Sequence, residues 1–286
     1  MFKSLKFLLN YAEFISGSTS MPNCEYCRQP ATLTKEHLWP ASLHKRLYAI
    51  NQQTKNIFWL SRLQRDIPNE PQIRDVCAPC NNVTLSKLDD YICKLFDSTF
   101  KNIVERHAEL VFEYDYHLLK RWLLKMSYNS ARIHNSPDRG ALECVLPYIL
   151  GTDLRMGRSI QLFVQLVHPQ EISEIEANKD GDPQKKILVE PSIHRLGHVI
   201  FRAHGVGQKT LRAIHLRSYT FYLAYWQPNG GRAEQNDFAE VFNLGMPGVQ
   251  LLRPSDQKVK LFCDGIGAWD SLKDARNARF SSEVDA

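Results

Sequence analysis

At 286 residues, with 43% hydrophobic and 10% aromatic content, the chain has the composition of a folded globular protein and excludes an intrinsically disordered one. Its formal charge of +5 permits a polyanionic partner without establishing one. Seven cysteines, four of them in two close pairs and three (Cys93, Cys144, Cys263) scattered singly, exclude a secreted disulfide framework and fit a reducing cytoplasm.

In chain order, residues 1–21 form an N-terminal extension. Its lysines and apolar run are those of a weak signal peptide, but Asn10 and Glu13 interrupt the run and no clean cleavage site follows, so export is not expected. Met21 is an alternative start. No stretch reaches the roughly 18 to 20 apolar residues that a spanning helix requires, so no membrane partner is expected.

Residues 22–95 hold the pairs Cys24-Glu25-Tyr26-Cys27 and Cys77-Ala78-Pro79-Cys80. Each CxxC places two sulfurs on one tight knuckle, and two knuckles close a tetrahedral four-thiolate site for structural Zn²⁺. The polar interval between them shows no long periodicity but contains Lys35-Glu36-His37-Leu38-Trp39-Pro40, and the second pair runs directly into Asn81-Asn82. Beyond it, Leu85, Leu88, Ile92 and Leu95 share one helical face, with Asp89 and Asp90 on the other.

Residues 96–139 are expected to be a helical connection, because Leu118, Leu119, Trp122, Leu123 and Met126 make an apolar face that ends at the breaker Asn135-Ser136-Pro137-Asp138-Arg139-Gly140. Residues 140–286 change texture: runs at 159–167, 186–193, 197–203, 211–226 and around 238–244 read as strands of a mainly antiparallel domain of about five to seven strands. Asn229-Gly230-Gly231 and Asp264-Gly265 are its turns, and 281–286 a frayed end. No functional motif is readable there. His194, His198 and His204 lack a paired acid or cysteine at ligand spacing.

The ordered set of CEYC, KEHLWP, CAPCNN and LSKLDD resembles the HNH endonuclease family in its zinc-stapled form, over about a quarter of the chain. The resemblance implies an α+β protein whose N-terminal treble-clef-like ββα-metal module is stapled by zinc and followed by the helical link and the antiparallel domain. It implies an endonuclease hydrolysing phosphodiester bonds, with DNA the expected substrate, in restriction, anti-phage defence or mobile-element settings. A homodimer or a complex with other defence-system proteins is the expected assembly.

By the same resemblance His37 is the general base, and Glu36 and Asn81 hold a catalytic Mg²⁺ or Mn²⁺, with Asn82 as the neighbouring alternative to Asn81. Pro40 matches the family's proline and is expected to shape the hairpin turn, and Trp39 is expected to pack. Many members carry an asparagine five residues before the third cysteine to orient the base; here that position is Gln72. Lys45, Arg46, Lys55, Arg62 and Arg65 form a basic insertion that either contacts phosphates or is a solvated loop. The competing reading is a non-catalytic zinc module that binds nucleic acid or a protein partner.

Overall fold

The computed structural model describes residues 21–51, 58–60, 65–67, 70–191, 194–226 and 231–273. Residues 1–20, Lys55, Arg62, Asn229-Gly230 and 281–286, named above, lie outside them.

Strand β1 (Leu33–His37) opens the fold and is followed by α1 (Ala41–Asn51), the short pair β2 (Phe58–Leu60) and β3 (Arg65–Ile67), and β4 (Gln72–Cys77). β1 and β4 pair antiparallel, Leu33 opposite Cys77 and His37 opposite Gln72, with a bulge between Thr34 and Lys35. The interval that lacks periodicity in sequence is therefore an excursion inside one strand pair. Pro40 starts α1: its carbonyl accepts from the backbone N–H groups of Leu43 and His44. It opens a helix instead of making a tight hairpin turn.

The chain leaves β4 through a widened helical turn, Cys80–Leu85, that runs into α2 (Ser86–Leu95). Leu85, Leu88 and Ile92 are buried on one face as their spacing requires. Asp89, expected on the solvent side, instead turns inward and accepts from Lys125 Nζ (2.7 and 2.8 Å) and Trp122 Nε1 (3.1 Å).

The connection also contains a strand. β5 (Glu109–Glu113) pairs with the later strand β13 (Lys258–Phe262), so residues 96–139 and 140–286 share a sheet. Then α3 (Tyr116–His134) runs through the centre of the molecule, opened by Asp115, whose side chain accepts from Leu118 N at 2.8 Å, and closed by Asn135 in the left-handed conformation (φ 52°). Two short helices follow, α4 (Arg139–Glu143) and α5 (Leu146–Leu150).

The remaining elements are β6 (Ile160–His168), β7 (Gln170–Ser173), α6 (Glu174–Ala177), β8 (Lys186–Val189), β9 (His194–Ala203), β10 (Gly207–Leu216), β11 (Tyr219–Tyr225), α7 (Arg232–Gly245), β12 (Gln250–Leu252), β13 (Lys258–Phe262) and β14 (Ile266–Gly267). They build a six-stranded, mainly antiparallel sheet in the order β12-β6-β11-β10-β9, with β14 joining β6 in parallel. The segment around 238–244, read as a strand, is helical. Phe238, Ala239 and Phe242 form one buried face of α7, set against Phe163 and Phe201 of the sheet.

The sheet is covered on both sides, which is why β6 is buried along nearly its whole length. One face meets α7. The other joins a core that runs without interruption from Cys24 through Trp122 and Phe112 to Leu252 and Cys263. Among the described residues no helix is long and apolar enough to cross a membrane.

Candidate active site

The four cysteine sulfurs Cys24, Cys27, Cys77 and Cys80 lie within 4.8 Å of one another. The first knuckle closes through Arg28 N to Cys24 O (2.9 Å), with Arg28 itself left-handed (φ 62°) and its guanidinium on Glu25 (2.8 Å). The second is registered to it: Cys77 N donates to Cys24 Sγ at 3.3 Å. Burial alone would raise the Cys24 thiol, but backbone N–H groups of Cys77, Cys27 and Tyr26 bring it down to about 7. Burial and the neighbouring sulfurs push Cys80 well up. Four converging sulfurs with no intervening side chain suit a tetrahedral thiophilic ion such as zinc. Among the described residues they are the group of three or more His, Cys, Asp or Glu side chains so placed.

His37 ends β1 with its side chain 34% exposed. Its Nδ1 lies 2.7 Å from Glu70 Oε2, while Gln72 Nε2, its cross-strand neighbour, is at 3.4 Å. The orienting partner is therefore a carboxylate and not the amide that occupies the expected position. An anion at Nδ1 holds the proton there and presents Nε2 as the lone-pair nitrogen. Glu70 is itself fixed: its Oε1 accepts from Trp39 N (2.6 Å) and lies 3.0 Å from His44 Nε2. Its role was not readable locally, since it is separated from His37 by the whole excursion. The only sequence signal is the strand pairing, which carries residues just ahead of Gln72 past the end of β1.

No protein-family model, curated protein or solved structure matches the chain.

Asn81 stands at the start of the widened turn. Its Nδ2 donates to Thr34 Oγ1 (2.9 Å) and to the Lys35 carbonyl (3.0 Å), which fixes the amide orientation and leaves Oδ1 as the atom it can offer to another group. This contact with β1 lies about 7 Å along the strand from His37. Asn82, the alternative, is exposed and contributes its carbonyl to Ser86 Oγ.

Glu36 is placed differently from His37. It points into the core, 5% exposed, with Oε1 3.0 Å from Lys125 Nζ and 3.1 Å from Asn129 Nδ2. Neighbours on a strand project to opposite sides, and here the buried side is the α3 side. An ammonium already on that oxygen opposes a divalent cation, so the donor set does not fit Glu36 as a ligand of a catalytic metal. The structure brings together His37 and Glu70, and separately Asn81 with β1. It does not bring the Glu36 carboxylate to the His37 side.

Asn129 links these parts. It accepts from Tyr26 Oη (2.6 Å) and from Arg132, and donates to Glu36 Oε1 and to the His37 carbonyl (3.0 Å). A buried amide with every hydrogen-bonding position used ties the first cysteine knuckle to the end of β1. Of the basic insertion, Arg46 is engaged with Asp97 (2.8 Å), while Lys45 and Arg65 are exposed. Trp39 is buried against Trp122 (ring centroids 5.9 Å apart).

Proposed function

We propose that the chain is an HNH-type, metal-dependent endonuclease that hydrolyses phosphodiester bonds in nucleic acid, with DNA as its substrate. The observation that carries this reading is the 2.7 Å His37–Glu70 contact at the end of a strand pair whose other end is pinned by four sulfurs. The geometry supplies a part-exposed imidazole with a carboxylate against Nδ1, on a scaffold that zinc would make rigid.

In this reading His37 Nε2 takes the proton from the attacking water, and Glu70 stabilises the imidazolium that results. Asn81 Oδ1 would be the chain's ligand to a Mg²⁺ or Mn²⁺ ion, which when bound would neutralise charge on the scissile phosphate. Glu36 belongs to the scaffold, where it neutralises Lys125. One such site cleaves one strand, so nicking is the elementary outcome. The products carry a 5′ phosphate and a 3′ hydroxyl.

Supercoiled plasmid incubated with zinc-loaded protein and Mn²⁺ or Mg²⁺ tests this directly. Relaxed plasmid is expected from the wild type and none from His37→Ala, with zinc content and circular dichroism unchanged. The engagement of Glu36 by Lys125 and Asn129 favours, as a second reading, a zinc module that binds nucleic acid without cutting it. Duplex binding with no cleavage under any divalent ion would select that second reading.

A further inference from the structure

Far from the cysteines, a cavity of about 610 Å³ opens where the first turn of α3, the turn before β6, the start of α7 and the end of β12 meet. Lys120, Arg155, Arg158, Arg232 and Arg253 line it, and among the described residues no Asp or Glu does. In a chain with 36 basic and 31 acidic residues, five cations without one carboxylate around a single concavity is a marked local excess. Arg155 is shared with Asp153 outside the lining, but the other three arginines are exposed and come from three separate stretches of chain: the turn before β6, the start of α7 and the residue after β12.

The depth of the cavity sets it apart from a charged surface. Lys120 is 2% exposed at its base, with Nζ donating to Tyr116 Oη (3.0 Å), the Gly157 carbonyl (2.7 Å) and the Ile160 carbonyl. No carboxylate is among these three partners, so the ammonium is held by neutral oxygens alone. Burial pushes it down to about 7, and an anion entering the cavity would favour its charged form. Leu154, Leu251 and Pro254 supply apolar lining, and α7 begins at the rim with no side chain capping its first N–H groups.

We propose that this cavity is a binding site for a small phosphorylated molecule, its phosphates held by Arg158, Arg232 and Arg253 above Lys120 and its less polar part against Leu154, Leu251 and Pro254. Guanidinium groups converging from separate elements suit phosphate oxygens, which each planar fork can engage through two hydrogen bonds. The volume falls within the range of small-molecule sites, and a partly open concavity with a buried cation in its wall fits a compact ligand better than a long polymer. This site does not depend on the nuclease reading.

Isothermal titration of the full zinc-loaded chain with ATP and with inorganic pyrophosphate, in buffer free of phosphate and magnesium, tests the proposal. Saturable one-to-one binding of at least one probe is expected. The double variant Arg158→Ala/Arg253→Ala, at exposed positions, should weaken it at least about thirtyfold with an unchanged melting temperature. Arg232→Ala, on a different element, should weaken it in the same direction, and His37→Ala should bind like the wild type. The proposal is overturned if neither probe binds at about 1 mM, if the arginine variants bind unchanged, or if a DNA duplex competes the probe away, which would assign the arginines to a nucleic-acid surface.

Discussion

His37 and Glu36 are adjacent in the chain and have opposite fates. One is half exposed on Glu70; the other is buried on Lys125. In the proposed nuclease Glu70 positions the imidazole through its contact with Nδ1, so Glu70→Gln should keep the ring near its place yet remove the carboxylate that fixes it. We expect kcat for plasmid nicking to fall about 10- to 100-fold with little change in KM, and zinc content to stay intact. Loss of fold and of zinc in Glu70→Gln would instead make Glu70 merely structural. Lys125, 1% exposed between Glu36 and Asp89, carries a different consequence. Burial and the neighbouring Glu36 charge push Asp89 up while Lys125 opposes them. Lys125→Met removes the cation from two inward-facing carboxylates and is expected to cost about 3–5 kcal/mol in urea unfolding. A cost below about 1 kcal/mol would mean that the acids readily find water or protons instead.

At the scale of elements, what the sequence made legible follows from how local each cause is. The CxxC spacing is visible because chelation by one knuckle is a local requirement, and α3 because Asp115, a helical apolar stripe and Asn135 agree with one another. By contrast, α1 was hidden in a polar interval and β5 exists because β13, far along the chain, pairs with it. α7 was misread because a short run with two phenylalanines and a valine looks strand-like, and only the sheet beneath Phe238 and Phe242 decides its period. Glu70 was illegible for the same reason as β5: its meaning is a contact distant in sequence. The breaker at 135–140 also does more than end a helix. Asp138 accepts from Arg212 of β10 at 2.6 and 2.7 Å and from His198 of β9 at 3.4 Å, and Arg212 also reaches Ser130 of α3. Burial alone would raise this carboxyl, but the hydrogen bonds from His198 and Arg212 hold it well below the usual carboxylate range. A lowered acid contributes stability above its unfolded value, about 3.9, and loses it as pH falls toward the folded value. Asp138→Asn should therefore cost about 3–5 kcal/mol at pH 7, by stranding the buried Arg212, and the difference from wild type should shrink as pH drops below about 4. Urea midpoints across that range measure it.

For the whole molecule, the deciding feature is that boundaries expected at 95 and 139 do not interrupt the core. The buried cluster that contains Cys24 and Val76 also contains Leu119, Phe221 and Leu252. α3 buries residues on every side: Asn129 and Arg132 face the cysteine end, and Lys120 the distant cavity. A helix apolar or fully paired all round needs both neighbours. Residues 21–139 alone would expose the α3 and Phe112 surfaces that the sheet covers, and are expected to be insoluble or molten, without the near-ultraviolet signal of Trp122. The same continuity governs metal removal. A zinc ion on the four sulfurs would join the knuckles that Asn129 and Arg132 hold to α3, Arg132 pairing with Asp75 two residues before Cys77. Stripping the ion, or replacing Cys80 by Ser, is thus expected to lower the melting temperature of the entire chain in one transition, not to unfold a separate module beneath an unchanged second one. A calorimetric scan of holo and stripped protein distinguishes the two: two well-resolved transitions, only one of them sensitive to zinc, would show that the shared core does not couple its parts.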